Sequence, residues 1–124
     1  SECEYLDMSG EQIAKFSPEK AQEAASDLAS YAIYIQRVLN KEKGILRWLD
    51  SRINLTIAGE LNSYNGYYSH EQRRAVAIIN NKYAKELEEF KITSQLKVDM
   101  LEGLTFQINQ LCRTISRLKW VDQH

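Results

Sequence analysis

The chain has one proline, five glycines and two cysteines in 124 residues, and each scarcity excludes something. So little proline and glycine rules out a collagen-like or low-complexity chain. Cys3 and Cys112 are too few and too far apart for the disulfide framework of a small secreted domain. No apolar run approaches the roughly 18–20 residues of a membrane span. The opening residues show neither a secretory-signal nor a transit pattern, and the sparse cysteine gives a reducing cytoplasm as the expected compartment. There is little net charge of either sign: 16 Lys and Arg stand against 17 Asp and Glu. That balance argues against a surface given over wholly to nucleic acid.

What remains is apolar enough to fold, at 44% hydrophobic residues, and patterned as helix. Ser17 can cap a helix whose first position is Pro18, where the missing N–H had no partner anyway. From there Leu28, Ala32, Ile35, Leu39, Leu46, Leu49, Ile53, Ile57 and Leu61 recur at steps of three, four or seven. That spacing is one helical face. Turn chemistry follows at Asn62–Ser69, with Asn65-Gly66 as its clearest mark. Ser69 with Gln72 forms a capping box that restarts a helix near His70. A second stripe then runs through Ile79, Tyr83, Leu87, Phe90, Val98, Leu101, Ile108, Leu111, Ile115 and Leu118.

The expected fold is all-α: a long antiparallel helical hairpin over 17–124, with helices at about 18–61 and 70–119 and a turn at about 62–69. Residues 1–16 form an N-terminal segment. In it Ser9 and Gln12 cap a short helix that carries Ile13 and Phe16 back over the open end. The first long helix has a second apolar stripe, Tyr31, Tyr34, Val38, Ile45, Trp48 and Leu55. A two-helix hairpin buries one face of each helix, so this leftover face implies a partner and a helical-bundle oligomer.

Catalytic chemistry finds little footing. His70 adjoins a helix cap and His124 is the last residue. Neither a Glu-x-x-His pair nor a phosphate-binding loop occurs, and no cofactor or metal is implied. Glu86, Glu88 and Glu89 read as a solvated helix face. Cys112 beside the core stripe reads as a small buried hydrophobe, and Cys3 as an incidental thiol. A non-enzymatic protein is expected.

The charge layout is uneven. Residues 37–85 hold nine basic residues (Arg37, Lys41, Lys43, Arg47, Arg52, Arg73, Arg74, Lys82, Lys85) against four acidic ones, while the rest of the chain holds seven against thirteen. If the turn centres near Gly66, residues whose numbers sum to about 132 face each other. Arg47 then lies across from Lys85, and Arg52 near Lys82. Positive charge gathers on the turn half, where Tyr64, Tyr67 and Tyr68 offer rings. Phosphate attraction with aromatic stacking suits single-stranded nucleic acid. Tyrosines that merely pack over the hairpin end, beside a solvated charged surface, are the bland alternative.

Leu61-Asn62-Ser63-Tyr64-Asn65-Gly66, between a long helix and an Arg-containing restart, resembles the UvsY-type recombination mediators of tailed bacteriophages. Those proteins carry an L-x-x-Y-x-G turn at this place. The resemblance implies a ring-like homo-oligomer in the host cytoplasm that binds single-stranded DNA. There it helps a strand-exchange recombinase displace single-strand-binding protein. It implies DNA contact at Arg73, Arg74 and Tyr64; Ala58-Gly59-Glu60, where the family tends to be basic, shifts contact toward Arg47, Arg52, Lys82 and Lys85. The alternative is a structural or adaptor protein that acts through protein–protein contacts on its second apolar stripe.

Overall fold

The structure is a computed structural model that describes residues 3–64 and 69–122. Asn65, Gly66, Tyr67 and Tyr68, which carry part of the expected turn, lie outside the described residues. Among the described residues a 3₁₀ turn at Glu4–Asp7 precedes four α-helices: α1 (Gly10–Ala14), α2 (Pro18–Ile57), α3 (His70–Ile79) and α4 (Lys82–Asp122). A second 3₁₀ turn spans Leu61–Tyr64. No strand occurs among the described residues. The two long helices α2 and α4 pack on each other as a helical hairpin. No helix among the described residues is long and apolar enough to cross a membrane.

The local chemistry of the helix starts accounts for their positions. Ser9 accepts a hydrogen bond from the Gln12 backbone N–H, and the Gln12 side chain accepts one from Ser9 N–H, which closes a capping box on α1. Ser69 and Gln72 do the same for α3. Ser17 Oγ accepts from Lys20 N–H at 3.1 Å, with Pro18 as the first residue of α2. Each cap satisfies donors that a helix N-terminus otherwise leaves unpaired.

The chain divides into two compact units, one of Ser1–Leu39 with Met100–His124 and one of Asn40–Asp99. In the first, Ala21, Ala24, Leu28 and Ile35 of α2 meet Ile108 and Ile115 of α4, and Tyr5 and Ile13 from the N-terminal segment join the same cluster. Tyr5 is an anchor: its ring meets Phe16 edge-on at 6.1 Å, and its hydroxyl donates to Asp27 Oδ2 and accepts from Lys20 Nζ, both at 3.3 Å. The N-terminal segment is therefore part of the core. Cys3 packs against this cluster beside Cys112, so it is not the incidental thiol expected from its position; both cysteines are free. Burial pushes the Cys112 thiol up from its usual value.

In the second unit, Leu49, Ile53 and Ile57 of α2 meet Ala77 and Ile78 of α3 and Ala84 and Leu87 of α4. Here the expected single helix over 70–119 gives way to two. Asn80 ends α3. Asn81 Oδ1 then accepts from Ala84 N–H at 3.0 Å to start α4. Both amides also tie back to the preceding 3₁₀ segment: Asn80 Nδ2 donates to Tyr64 Oη at 2.8 Å, and Asn81 Nδ2 to Glu60 Oε1 at 3.1 Å. The break resets the helical phase. Ile78 and Leu87, nine residues apart, would stand on opposite sides of an unbroken helix at 3.6 residues per turn, yet both are buried in one cluster. Three residues of the expected stripe fall outside the core: Ile79, whose neighbour Ile78 takes the buried position before the break, and Tyr83 and Phe90, which stand at the edge of the buried face of α4. Ile79 is 66% exposed, Phe90 66% and Tyr83 46%.

The pairing of elements is shifted too. Asp50 meets Lys91, Glu60 meets Asn81 and Tyr64 meets Asn80. These numbers sum to 141–144 rather than about 132, because α3 is a separate arm. Arg47 is thus level with the neighbourhood of Ser94, not Lys85.

Two substitutions test this phase. Ile78→Ala, at a site only 7% exposed, is expected to cost about 2–4 kcal/mol of unfolding free energy. Ile79→Ala next to it is expected to cost under about 0.5 kcal/mol. Urea denaturation of both variants reads the difference, and equal losses would contradict the break at Asn80-Asn81.

Candidate functional site

The basic positions singled out above nearly all belong to the second unit, and the fold sorts them into different settings. Arg74 on α3 is half-buried. Its Nη2 lies 3.3 Å from Asp50 Oδ1, and its Nε donates to Asn54 Oδ1 at 3.3 Å. Lys91 Nζ lies 2.8 Å from the same Asp50 oxygen. One carboxylate on α2 is thus clamped by cations from α3 and α4. The Lys91 hydrogen bond, with the charges of Lys91 and Arg74, holds the Asp50 carboxyl below its ordinary 3.8 against a smaller opposing effect of burial. Arg74 is in this way a structural side chain of the unit. Arg73 is half-buried.

Arg47 and Arg52 are both exposed, but five residues on a helix turn the direction by about 140°. Arg47 lines up with Asn54, on the Asp50 side of α2. Arg52 lines up with Ile45, seven residues before it, on the other side. The two arginines do not share a face.

Lys82 and Lys85 do. Both are exposed in the first turn of α4, three residues apart, which places them on neighbouring positions of one helix surface. The Asn80–Tyr64 and Asn81–Glu60 hydrogen bonds hold that first turn beside the 3₁₀ turn at Leu61–Tyr64. Tyr64 is half-buried there. Tyr67 and Tyr68 lie outside the described residues. The structure ties Tyr64 to Asn80, two residues before Lys82, and packs its ring against the core of the unit; Arg74 is engaged with Asp50, and Arg47 and Arg52 stand on different sides of α2.

Net charge follows the same sorting. Across Asn40–Asp99 there are ten basic and eight acidic residues, because Glu86, Glu88, Glu89 and Asp99 join the unit along with Lys91 and Lys97. The surplus of five counted along the sequence falls to two. It lies on α2, where Lys41, Lys43, Arg47 and Arg52 outnumber Glu42 and Asp50, while the part of α4 within the unit is neutral, Lys82 and Lys85 being followed by Glu86, Glu88 and Glu89.

The opposite side of α2 is apolar. Ile45, Trp48 and Leu49 of α2 face Leu87, Phe90, Thr93 and Ser94 of α4 across an open groove of about 390 Å³, with Glu42 and Lys97 also in its lining. Trp48 is 58% exposed, and Leu55 further along the same face is also exposed. Of the second stripe expected to face a partner, Tyr34, Ile45, Trp48 and Leu55 are exposed, while Tyr31 and Val38 are half-buried. In the first unit Tyr31 and Tyr34 stack with ring centroids 6.3 Å apart. Phe90 is the contributor that sequence reasoning misplaced: its spacing matched the core stripe, but on α4 it stands about 60° round from buried Leu87 and about 80° from buried Val98, at the groove edge of the helix.

Among the described residues no group of three or more His, Cys, Asp or Glu is placed to hold a metal ion. Comparison with known families, curated proteins and solved structures finds no match to this chain.

The Asp50 clamp has a pH signature. Its carboxyl titrates below 3.8 when folded, so its contribution is present above that pH and is lost as the pH falls through the lowered value. Asp50 is partly solvated, so the contribution is small, up to about 1 kcal/mol. Asp50→Asn is expected to be less stable than the parent at pH 7, with the gap closing by about pH 2–3 as the parent carboxylate protonates. Urea unfolding at the two pH values checks this; a gap of the same size at both contradicts it.

Proposed function

We propose that this chain is a non-enzymatic, single-stranded DNA-binding recombination mediator of the kind its Leu61–Gly66 segment resembles, one that helps load a strand-exchange recombinase. The observation that carries the reading is the exposed pair Lys82 and Lys85 at the first turn of α4, just after Asn80, whose side chain hydrogen-bonds Tyr64 of that segment. Two cations on one surface attract a phosphate backbone, the N-terminus of α4 adds its partial positive charge, and a tyrosine offers a face for a base. No covalent step is involved. Recombinase and single-strand-binding protein enter as partners through the resemblance alone.

The contact set is narrower than the charge count suggests. Tyr64, Lys82 and Lys85 are its centre, with Arg73 close in sequence. Arg74 is tied to Asp50, so its removal would perturb the fold along with any binding. A second reading, an adaptor that works through protein–protein contact, is favoured by the groove with exposed Trp48 and Phe90.

Titration of fluorescent oligo-dT at several salt concentrations separates the two. The mediator reading expects binding at low salt. It also expects Lys82→Ala with Lys85→Ala to flatten the plot of log K against log salt by about 1.4, near 0.7 for each lost phosphate contact. An unchanged slope would remove these lysines from the site, and no binding at low salt would leave the adaptor reading.

A further inference from the structure

One face of α2 in the first unit carries Asp27, Ser30, Tyr31 and Tyr34. Steps of three, one and three residues set these side chains on one side of a helix. Glu4 and Tyr5 of the N-terminal segment, with Cys3, complete the lining of an open cavity of about 410 Å³. That is the size of a site for a small molecule or a single large side chain. The Tyr31 and Tyr34 rings stack with 29° between their planes, and Tyr34 is 53% exposed. The Tyr5 hydroxyl donates to Asp27 Oδ2, which orients that carboxylate at the cavity and leaves it further capacity to accept.

The lining is of one electrical kind. An aromatic face is negative, and an ionised carboxylate only accepts hydrogen bonds. Residues 1–39 hold seven acidic and three basic residues. Glu23 stands one turn before Asp27 on α2, and Asp7 follows Glu4 in the 3₁₀ turn. Of the cations, Lys15 caps the end of α1. Lys20 is already engaged, its Nζ 5.3 Å from the Tyr5 ring centroid and 3.3 Å from the hydroxyl. Arg37 and Lys41 follow Tyr34 along α2 by one and two turns, and neither lines the cavity. Among the described residues no cation stands over the Tyr34 ring. Lys20 on Tyr5 is the chain's own instance of the pairing that the cavity offers to an outside group.

A guanidinium matches both halves of this lining. It is planar and stacks on an aromatic face, its fork of donors meets a carboxylate, and it sheds water more readily than an ammonium. A metal ion does not match, because no group of three or more ligating side chains is placed to hold one among the described residues. We propose that the cavity between the N-terminal segment and α2 binds the guanidinium of an arginine held within a polypeptide, stacked on Tyr34 and paired with Asp27 and Glu4. The proposal is independent of whether the first turn of α4 binds DNA.

Nitrogen-15 NMR titration of the full chain with N-acetyl-arginine N-methylamide, at fixed ionic strength up to about 20 mM, tests it. Saturable shifts are expected at residues 3–5 and 27–34. The citrulline analogue, neutral and of the same shape, is expected to give none, and the lysine analogue to bind more weakly. Free arginine carries a carboxylate into acidic surroundings and is expected to bind more weakly too. Tyr34→Ala is expected to weaken binding about threefold or more, while Tyr34→Phe keeps the ring and the affinity. Asp27→Asn and Glu4→Gln are each expected to weaken it about threefold, with the spectrum of residues 40–99 unchanged as the sign of an intact fold. The proposal is overturned by a citrulline, lysine or free-arginine probe that binds as tightly, by shifts that do not saturate or that spread evenly over both units, or by a Tyr34→Ala chain that binds like the parent.

Discussion

The fold depends on a single strip of aliphatic side chains along α2. Leu28, Ile35 and Leu39 lie on it in one unit, and Leu49, Ile53 and Ile57 in the other. A long helix in water gains little from its own hydrogen bonds, and most of its stability comes from burying such a face. Everything else in the molecule is arranged to cover this strip: α4 throughout, the N-terminal segment through Tyr5 and Ile13, and α3 through Ala77 and Ile78. Polar contacts, such as the Asp50 clamp or the Tyr5 hydroxyl, fix register around apolar surface that is already committed.

The strip is not equally covered. Where aliphatic residues at the right spacing are available on both helices, side chains such as Leu28, Ile53 and Ile115 are sealed completely. Where α2 offers Glu42, Ile45 and Trp48, and α4 answers with Thr93, Ser94 and Lys97, the seal opens and a groove forms. The thinness follows directly from composition. It also explains why exposed aromatics cluster there: Trp48 and Phe90 are large enough to reach over the gap but have nothing on the far side to meet.

Much of this was legible in the sequence. Ser9-x-x-Gln12 and Ser69-x-x-Gln72 were readable because a capping box is a local exchange of two hydrogen bonds between residues three apart. The α2 stripe was readable because its period holds over many turns. The Asn80-Asn81 break was not, because asparagine is tolerated within helices and apolar residues on both sides kept a plausible rhythm through it. Only the amide bonds to Tyr64 and Glu60, made by residues far off in the chain, decide that the helix stops. The basic segment misled for a related reason: counting charges along a chain ignores the angle around each helix, and that angle separates Arg47 from Arg52. Tyr5 lay in a stretch too short and polar to show any period.

The asparagine joint also bears on how such a chain can change over time. In an uninterrupted helix, one residue gained or lost rotates everything downstream by about 100°, which would wreck the seam along all of α4. Because α4 starts afresh from its own cap at Asn81, length variation in the preceding loop or in α3 stops at that cap. The long seam of α4 is thereby counted from Asn81 onward, with Glu60 and Tyr64 holding that joint in place.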